Sequence, residues 1–250
     1  MRRFFIDSLQ AEKAGTDKII TVRGSDVNHI VNVLRMKKGD GLLFSATDGR
    51  EFETVISALG PDSVTADVVN VRENSTEPDV CVTLIQGVPK GDKMELIIQK
   101  AVELGACAVV PVMTEFTVVK LDGVDRKKKQ VRWQRISEEA AKQCGRGIVP
   151  PVTEPVSLNQ ALRERPDEEI KLFAYENEEE LSLKAVLSEL GDGFKGKISV
   201  VIGPEGGFSR AEAEMAKESG FRPFSLGRRI LRTETAGFTA LAGIRCFFED

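Results

Sequence analysis

The first seventy residues alternate apolar and polar positions with a period of two, and the rest of the chain follows another rhythm. Over 3–6, 18–22, 42–46, 51–57 and 63–71 the alternation, with its β-branched and aromatic residues, predicts short strands. Gly39-Asp40, Asp48-Gly49 and Gly60-Pro61-Asp62 supply turns between them, and a short helix is expected over 26–34. The segment 1–72 therefore reads as a small β-barrel. RENSTEPD, over 72–79, is polar and lacks apolar periodicity, which makes it a plausible boundary to a second domain over 73–250.

Beyond that boundary, apolar runs alternate with helical periods. Strands are expected over 81–88, 107–113, 170–175, 198–202 and 221–226, and helices over 92–104 and 126–144. Met94, Ile97, Ile98, Ala101 and Val102 fall on one helical face. This alternation predicts an α/β domain with a mostly parallel sheet covered on both sides.

The run over 198–202 stops abruptly at Gly203-Pro204, and Ser209 with Glu212 reads as the capping box of a helix that Gly220 ends. Between them lies GPEGG, Gly203 to Gly207, whose backbone a ligand can approach without meeting a side chain. It lacks the spacing of a dinucleotide fingerprint or a P-loop. A second segment, SLGRRILRTETAG over 225–237, sets three arginines around Ile230 and Leu231, and Thr233 or Thr235 is placed to cap a last helix. So much guanidinium in one loop points to an anionic partner.

Composition narrows the field. The 250 residues are 41% hydrophobic and 30% charged, as expected for a globular protein with one large or two modest cores. No apolar run is long enough to span a membrane, and Asp7 interrupts MRRFF before a signal-peptide core develops. Cys81, Cys107, Cys144 and Cys246 form no C-x-x-C pair and accompany one histidine, so no metal site and reduced thiols in a cytoplasmic protein are expected. The net charge of −4 hides an uneven distribution. Eight basic residues face two acidic ones over 126–146, and ten acidic face three basic over 164–192. A local cationic face suits phosphate binding even when the total charge is negative.

IGPEGGFS followed by SLGRRILRTETA resembles the ligand-binding signature of the RsmE-type small-subunit rRNA uridine methyltransferases of the SPOUT superfamily. The resemblance continues in VPKGDKMELIIQKAVELGA over 88–106, RWQRISEEAAKQCGRGIVP over 132–150, MRRFF, and HIVNVLRMKKGD over 29–40, and so spans almost the whole chain. It implies an N-terminal PUA-like β-barrel that binds RNA, then a SPOUT methyltransferase domain whose C-terminal segment is threaded into a trefoil knot. It also implies S-adenosylmethionine as cofactor and, as substrate, the N3 of one uridine of 16S rRNA near the decoding site of the small ribosomal subunit. Pairing into a homodimer is implied as well. The apolar surplus on the last helix, Phe238, Leu241, Ile244, Phe247 and Phe248, suits that pairing.

Carried onto this sequence, the resemblance assigns the cofactor to three strand-end loops. They contain Phe173, Ala174, Tyr175 and Glu176; Ile202, Gly203, Pro204, Glu205, Gly206 and Gly207; and Leu226, Gly227, Ile230, Leu231, Arg232, Thr235 and Ala236. Arg232 is the expected stabiliser of negative charge on the uracil, with Glu234 and Glu205 as carboxylates able to take a proton or orient it. RNA contacts are expected from Arg2, Arg3, His29, Arg35, Lys90, Lys93, Arg126, Arg135, Gln143 and Arg146. Two other readings share these features: a catalytically silent RNA-binding or assembly factor, and a methyltransferase with another RNA target. Saturable S-adenosylmethionine binding discriminates against the silent factor.

Overall fold

The computed structural model describes residues 1–165, 170–191 and 193–249. They form two compact units, 1–77 with 141–149, and 78–140 with 150–249.

The first unit is a five-stranded sheet in the order β1-β3-β4-β5-β2, made of β1 (Arg2–Ile6), β2 (Ile19–Arg23), β3 (Gly41–Ala46), β4 (Arg50–Leu59) and β5 (Ser63–Glu73). β1 runs parallel to β3 and the other pairs are antiparallel. Phe4, Phe44, Phe52, Ile30 and Ile56 fill its core, so Phe4 takes the interior place open to either residue of the Phe4-Phe5 pair. α1 (Ser8–Asp17), which the apolar pattern did not predict, is started by a capping box between Asp7 and Gln10. Only Ala11 and Ala14 are buried on it, so it lacks the large apolar residues that make a helical period visible. The helix expected over 26–34 is α2 (Ser25–Asn28), continued by a π-helical turn, His29–Val33. β5 runs past residue 72, and the unit continues to Glu77.

The second unit holds a six-stranded, all-parallel sheet in the order β11-β9-β10-β6-β7-β8. Its strands are β6 (Cys81–Gly87), β7 (Ala106–Met113), β8 (Val156–Ser157), β9 (Ile170–Ala174), β10 (Lys197–Ile202) and β11 (Arg222–Phe224). Successive side chains point to opposite faces. Leu84, Leu172, Ile198 and Val200 join one core, while Ile85, Phe173 and Val201 join another. The first core contains residues of α3 (Lys93–Glu103), α4 (Gly123–Cys144), α6 (Leu183–Leu190) and α8 (Thr233–Phe248). The second contains residues of α5 (Leu158–Arg163) and α7 (Arg210–Glu218). Burial on both faces makes the strand sequences read as continuous apolar runs.

The capping box of Ser209 and Glu212 starts α7 as its sequence predicts. α8 departs from expectation. Arg232 is its N-cap and its guanidinium, which has only donors, makes no cap, while Thr233 is the first helical residue and its hydroxyl donates to the Gly203 carbonyl.

Candidate active site

β11, β9 and β10 are parallel neighbours, so their carboxyl ends lie side by side and their loops open on one edge of the sheet. In an open α/β sheet that edge is where ligands bind. The loops touch one another. A Cβ on Gly207 would lie 3.6 Å from the Glu176 carboxylate, which sets the β9 and β10 loops against each other. The Thr233 hydroxyl donates to the Gly203 carbonyl at 2.5 Å and ties the start of α8 to the β10 loop.

The glycines of GPEGG are required first by the chain's own packing. A Cβ on Gly206 would stand 2.8 Å from Phe116 Cβ, and one on Gly203 would stand 3.0 Å from the Phe208 ring. Gly207 has φ +66°, a left-handed conformation that side chains disfavour. Pro204 is packed so closely that a Cβ on Gly87 would meet it at 2.5 Å. The loop carrying Phe116 is in turn held by Glu212, whose carboxylate accepts from the Glu115 and Ser209 amides. The capping box was legible in the sequence. Its second contact was not, because it joins residues distant in the chain.

Of the assigned cofactor-loop side chains, Phe173 and Ile202 are buried in the core and leave only backbone at the site. The Phe173 ring stacks on Phe208 with centroids 4.4 Å apart. Ala174, Tyr175, Leu226, Leu231 and Ala236 are half-buried, while Gly227 and Thr235 are exposed. Ile230 is 90% exposed, which excludes a role in the protein's own core. Gly227 has φ +108° and an added Cβ would meet nothing within 4 Å, so its loop needs glycine for its backbone alone.

The charged groups converge on Lys93. Its ammonium lies 2.9 Å from Glu205 Oε1 and 3.5 Å from Glu234 Oε2, and the Lys90 amide also donates to Glu205. Burial opposes the Glu205 charge, but hydrogen bonds from Lys93 and from backbone amides outweigh it and hold the carboxyl below its ordinary range. A carboxylate stabilised in this way is a weak proton acceptor. Lys93, expected as an RNA contact, is therefore a bridge between two carboxylates. Arg232 is exposed at the N-cap of α8, with no ion pair among the described residues.

The expected RNA contacts divide. Arg3 and Arg146 are taken up inside the first unit. Arg3 donates to Glu51, to Ser45 and to the Arg146 carbonyl, and Arg146 pairs with Glu77 at 2.6 Å while only 4% exposed. Neither presents its guanidinium outward, and both tie segments of the first unit together. Arg126 likewise donates to the Leu121 and Pro155 carbonyls. Arg2, His29, Arg35 and Gln143 in the first unit are exposed, as are Lys90 and Arg135 in the second. The His29 ring meets Phe4 edge-on at 5.9 Å. Arg35 has φ +52°, a conformation uncommon outside glycine and one that recurs at binding sites.

Comparison with known proteins defines the class. Residues 76–245 match the RNA methyltransferase domain, and residues 22–69 match the RNA methyltransferase PUA domain. The chain is 39% identical to ribosomal RNA small subunit methyltransferase E of Bacillus subtilis, over 98% of this chain and 96% of that protein. The chain belongs to this methyltransferase E family. A crystal structure of the Neisseria gonorrhoeae methyltransferase E bound to S-adenosyl methionine matches with a TM-score of 0.84 at 31% identity, covering 99% of this chain and 98% of that one. A putative methyltransferase from Legionella pneumophila, in complex with the same cofactor, matches with a TM-score of 0.81 at 33% identity over 91% of each chain.

Proposed function

We propose that the protein transfers a methyl group from S-adenosylmethionine to N3 of one uridine of 16S rRNA, near the decoding site of the small subunit. The observation that carries this reading is the junction of three adjacent parallel-strand loops beside an exposed guanidinium, Arg232. The loop chemistry fits the cofactor. The glycine-rich backbone supplies amides and carbonyls for an adenine, Glu176 is an acceptor for ribose hydroxyls, and exposed Ile230 is an apolar lid for a ring. When bound, the cofactor supplies a methyl already activated on a sulfonium, so the protein's task is to position and to exclude water.

The uridine imide carries a proton at neutral pH, and methylation needs the resulting negative charge stabilised. Arg232 suits this role, since its two parallel donors match an imide carbonyl and it stays charged. Glu205, held ionised by Lys93, acts as an electrostatic partner rather than the base. Glu234, 15% exposed and 3.5 Å from the same ammonium, is the carboxylate left to orient Arg232 or accept the proton.

The reading includes the trefoil threading and the homodimer. Phe238, Phe247 and Phe248 are half-buried against their own core, which leaves part of their surface for a second copy. Sedimentation of a fully active monomer at micromolar concentration removes the dimer. The activity is tested by nucleoside mass spectrometry of rRNA from a strain lacking the protein. Loss of one N3-methyluridine supports the assignment, and an unchanged methyluridine complement overturns it.

A further inference from the structure

Gln86 is the last polar side chain on β6, a central strand of the second sheet, and it is fully buried. Its carboxamide nitrogen donates to the Thr233 hydroxyl at 2.8 Å and to the Gly87 carbonyl at 3.0 Å. The Gly203 carbonyl lies 3.5 Å from the same nitrogen. Thr233, accepting from Gln86, donates onward to Gly203. The chain of bonds has one direction: amide to hydroxyl to carbonyl. The Gly87 and Gly203 carbonyls fix the orientation of the carboxamide, because reversing it would set its oxygen against theirs.

The carboxamide oxygen faces the other way and, though buried, has no hydrogen-bond partner among the described residues. It lies against α8 at Gly237, where an added Cβ would stand 3.3 Å from it. A mid-helix glycine is unfavourable by itself. Here it lets α8 approach the strand closely enough for Thr233 to reach Gln86. A buried polar group left half-satisfied costs free energy that core packing alone would remove. A leucine would fill the same space without that cost, so the carboxamide is better explained by what it holds than by stability.

We propose that Gln86 is a positioning residue of the cofactor site, which orients the GPEGG loop and the arginine loop relative to each other through Thr233. The proposal rests on the reading of those loops as the S-adenosylmethionine site. It assigns Gln86 no contact with the reacting atoms. Gln86 and Thr233 carry the orientation, and Gly237 provides the room.

The test measures S-adenosylhomocysteine affinity by calorimetry, together with melting temperature, for the full chain and its variants. Gln86→Leu and Thr233→Val should each weaken binding about tenfold, the effect of one buried hydrogen bond left unmade. Thr233→Ser, which keeps the hydroxyl, should restore wild-type affinity. The double variant should bind no worse than the weaker single one, because both changes break one relay. Val109→Ala, a core change on β7 outside the three loops, should lower the melting temperature and leave affinity unchanged. Wild-type affinity in either Gln86→Leu or Thr233→Val overturns the proposal, as do additive losses or an equal loss in Val109→Ala. If Gln86→Leu fails to fold, the Thr233→Val and Thr233→Ser pair decides. Absence of any binding by the unmodified chain instead overturns the cofactor-site reading itself.

Discussion

The Lys93 ammonium lies 2.9 Å from the Glu205 carboxylate, joining the first turn of α3 to the glycine loop that follows β10. The same ammonium reaches Glu234 on the first turn of α8, so one cation faces two carboxylates. A loop rich in glycine has little side-chain packing of its own. This ion pair is one of the contacts that give it a defined place.

The pH dependence follows from the direction of the Glu205 shift. Its carboxyl is held below its ordinary value of 4.5, so it contributes stability that is present above that value and lost as the pH falls through the lower folded one. Glu205→Gln should therefore be less stable at neutral pH, and its urea midpoint should fall less steeply below pH 4.5. Identical acid limbs for the two proteins would remove the ion pair from the stability argument.

The first unit should depend on Glu51. This carboxylate is 2% exposed and accepts from Arg3, from Arg72 at 2.9 Å and from Asn74 at 2.6 Å. Its removal leaves the half-buried Arg3 guanidinium without its carboxylate partner. Glu51→Ala should destabilise the unit by about 3 kcal/mol. Denaturant unfolding followed by a probe in the first unit measures this, and a midpoint within error of wild type would contradict it.

Gly206→Ala should displace the Phe116 loop, because the two Cβ atoms would otherwise stand 2.8 Å apart. Cofactor affinity is then expected to drop, and Phe116→Gly in the same chain should recover most of it by removing the obstructing atom. Failure of the second change to rescue the first would mean that the glycine serves the ligand directly.

Two sets of basic residues should behave oppositely toward RNA. Lys127 and Lys128 are exposed and Lys129 is half-buried on α4. Changing all three to Gln should lower the slope of log affinity against log salt by roughly 2, with cofactor affinity unchanged. Arg146→Ala should instead lower stability and leave the slope intact, because its guanidinium is buried against Glu77. A reversed outcome would restore Arg146 as an RNA contact.

How far the sequence could be read depended on the range of the interaction. The parallel sheet was legible because strands such as 198–202 are apolar on both faces. The α7 cap was legible because Ser209 and Glu212 lie three residues apart. Helix α1 was hidden because its buried face is two alanines. The fate of Arg3 and Arg146 was hidden because no local pattern distinguishes an arginine facing solvent from one facing Glu51 or Glu77. Gln86 carried no signal at all, since its partner lies 147 residues away.

That separation has a consequence for how the protein is made. Because every sheet pairing in the second unit is parallel, none of its strands can zip onto a neighbour through a tight hairpin. β6 must wait for β10, Cys81 for Lys197, and Gln86 for the first residue of the final helix. A chain still emerging from the ribosome has its first unit's strands complete long before the ligand loops can close. The nascent protein is thus expected to pass through a stage in which the first unit's strands are paired while β10 and α8 have yet to join the second.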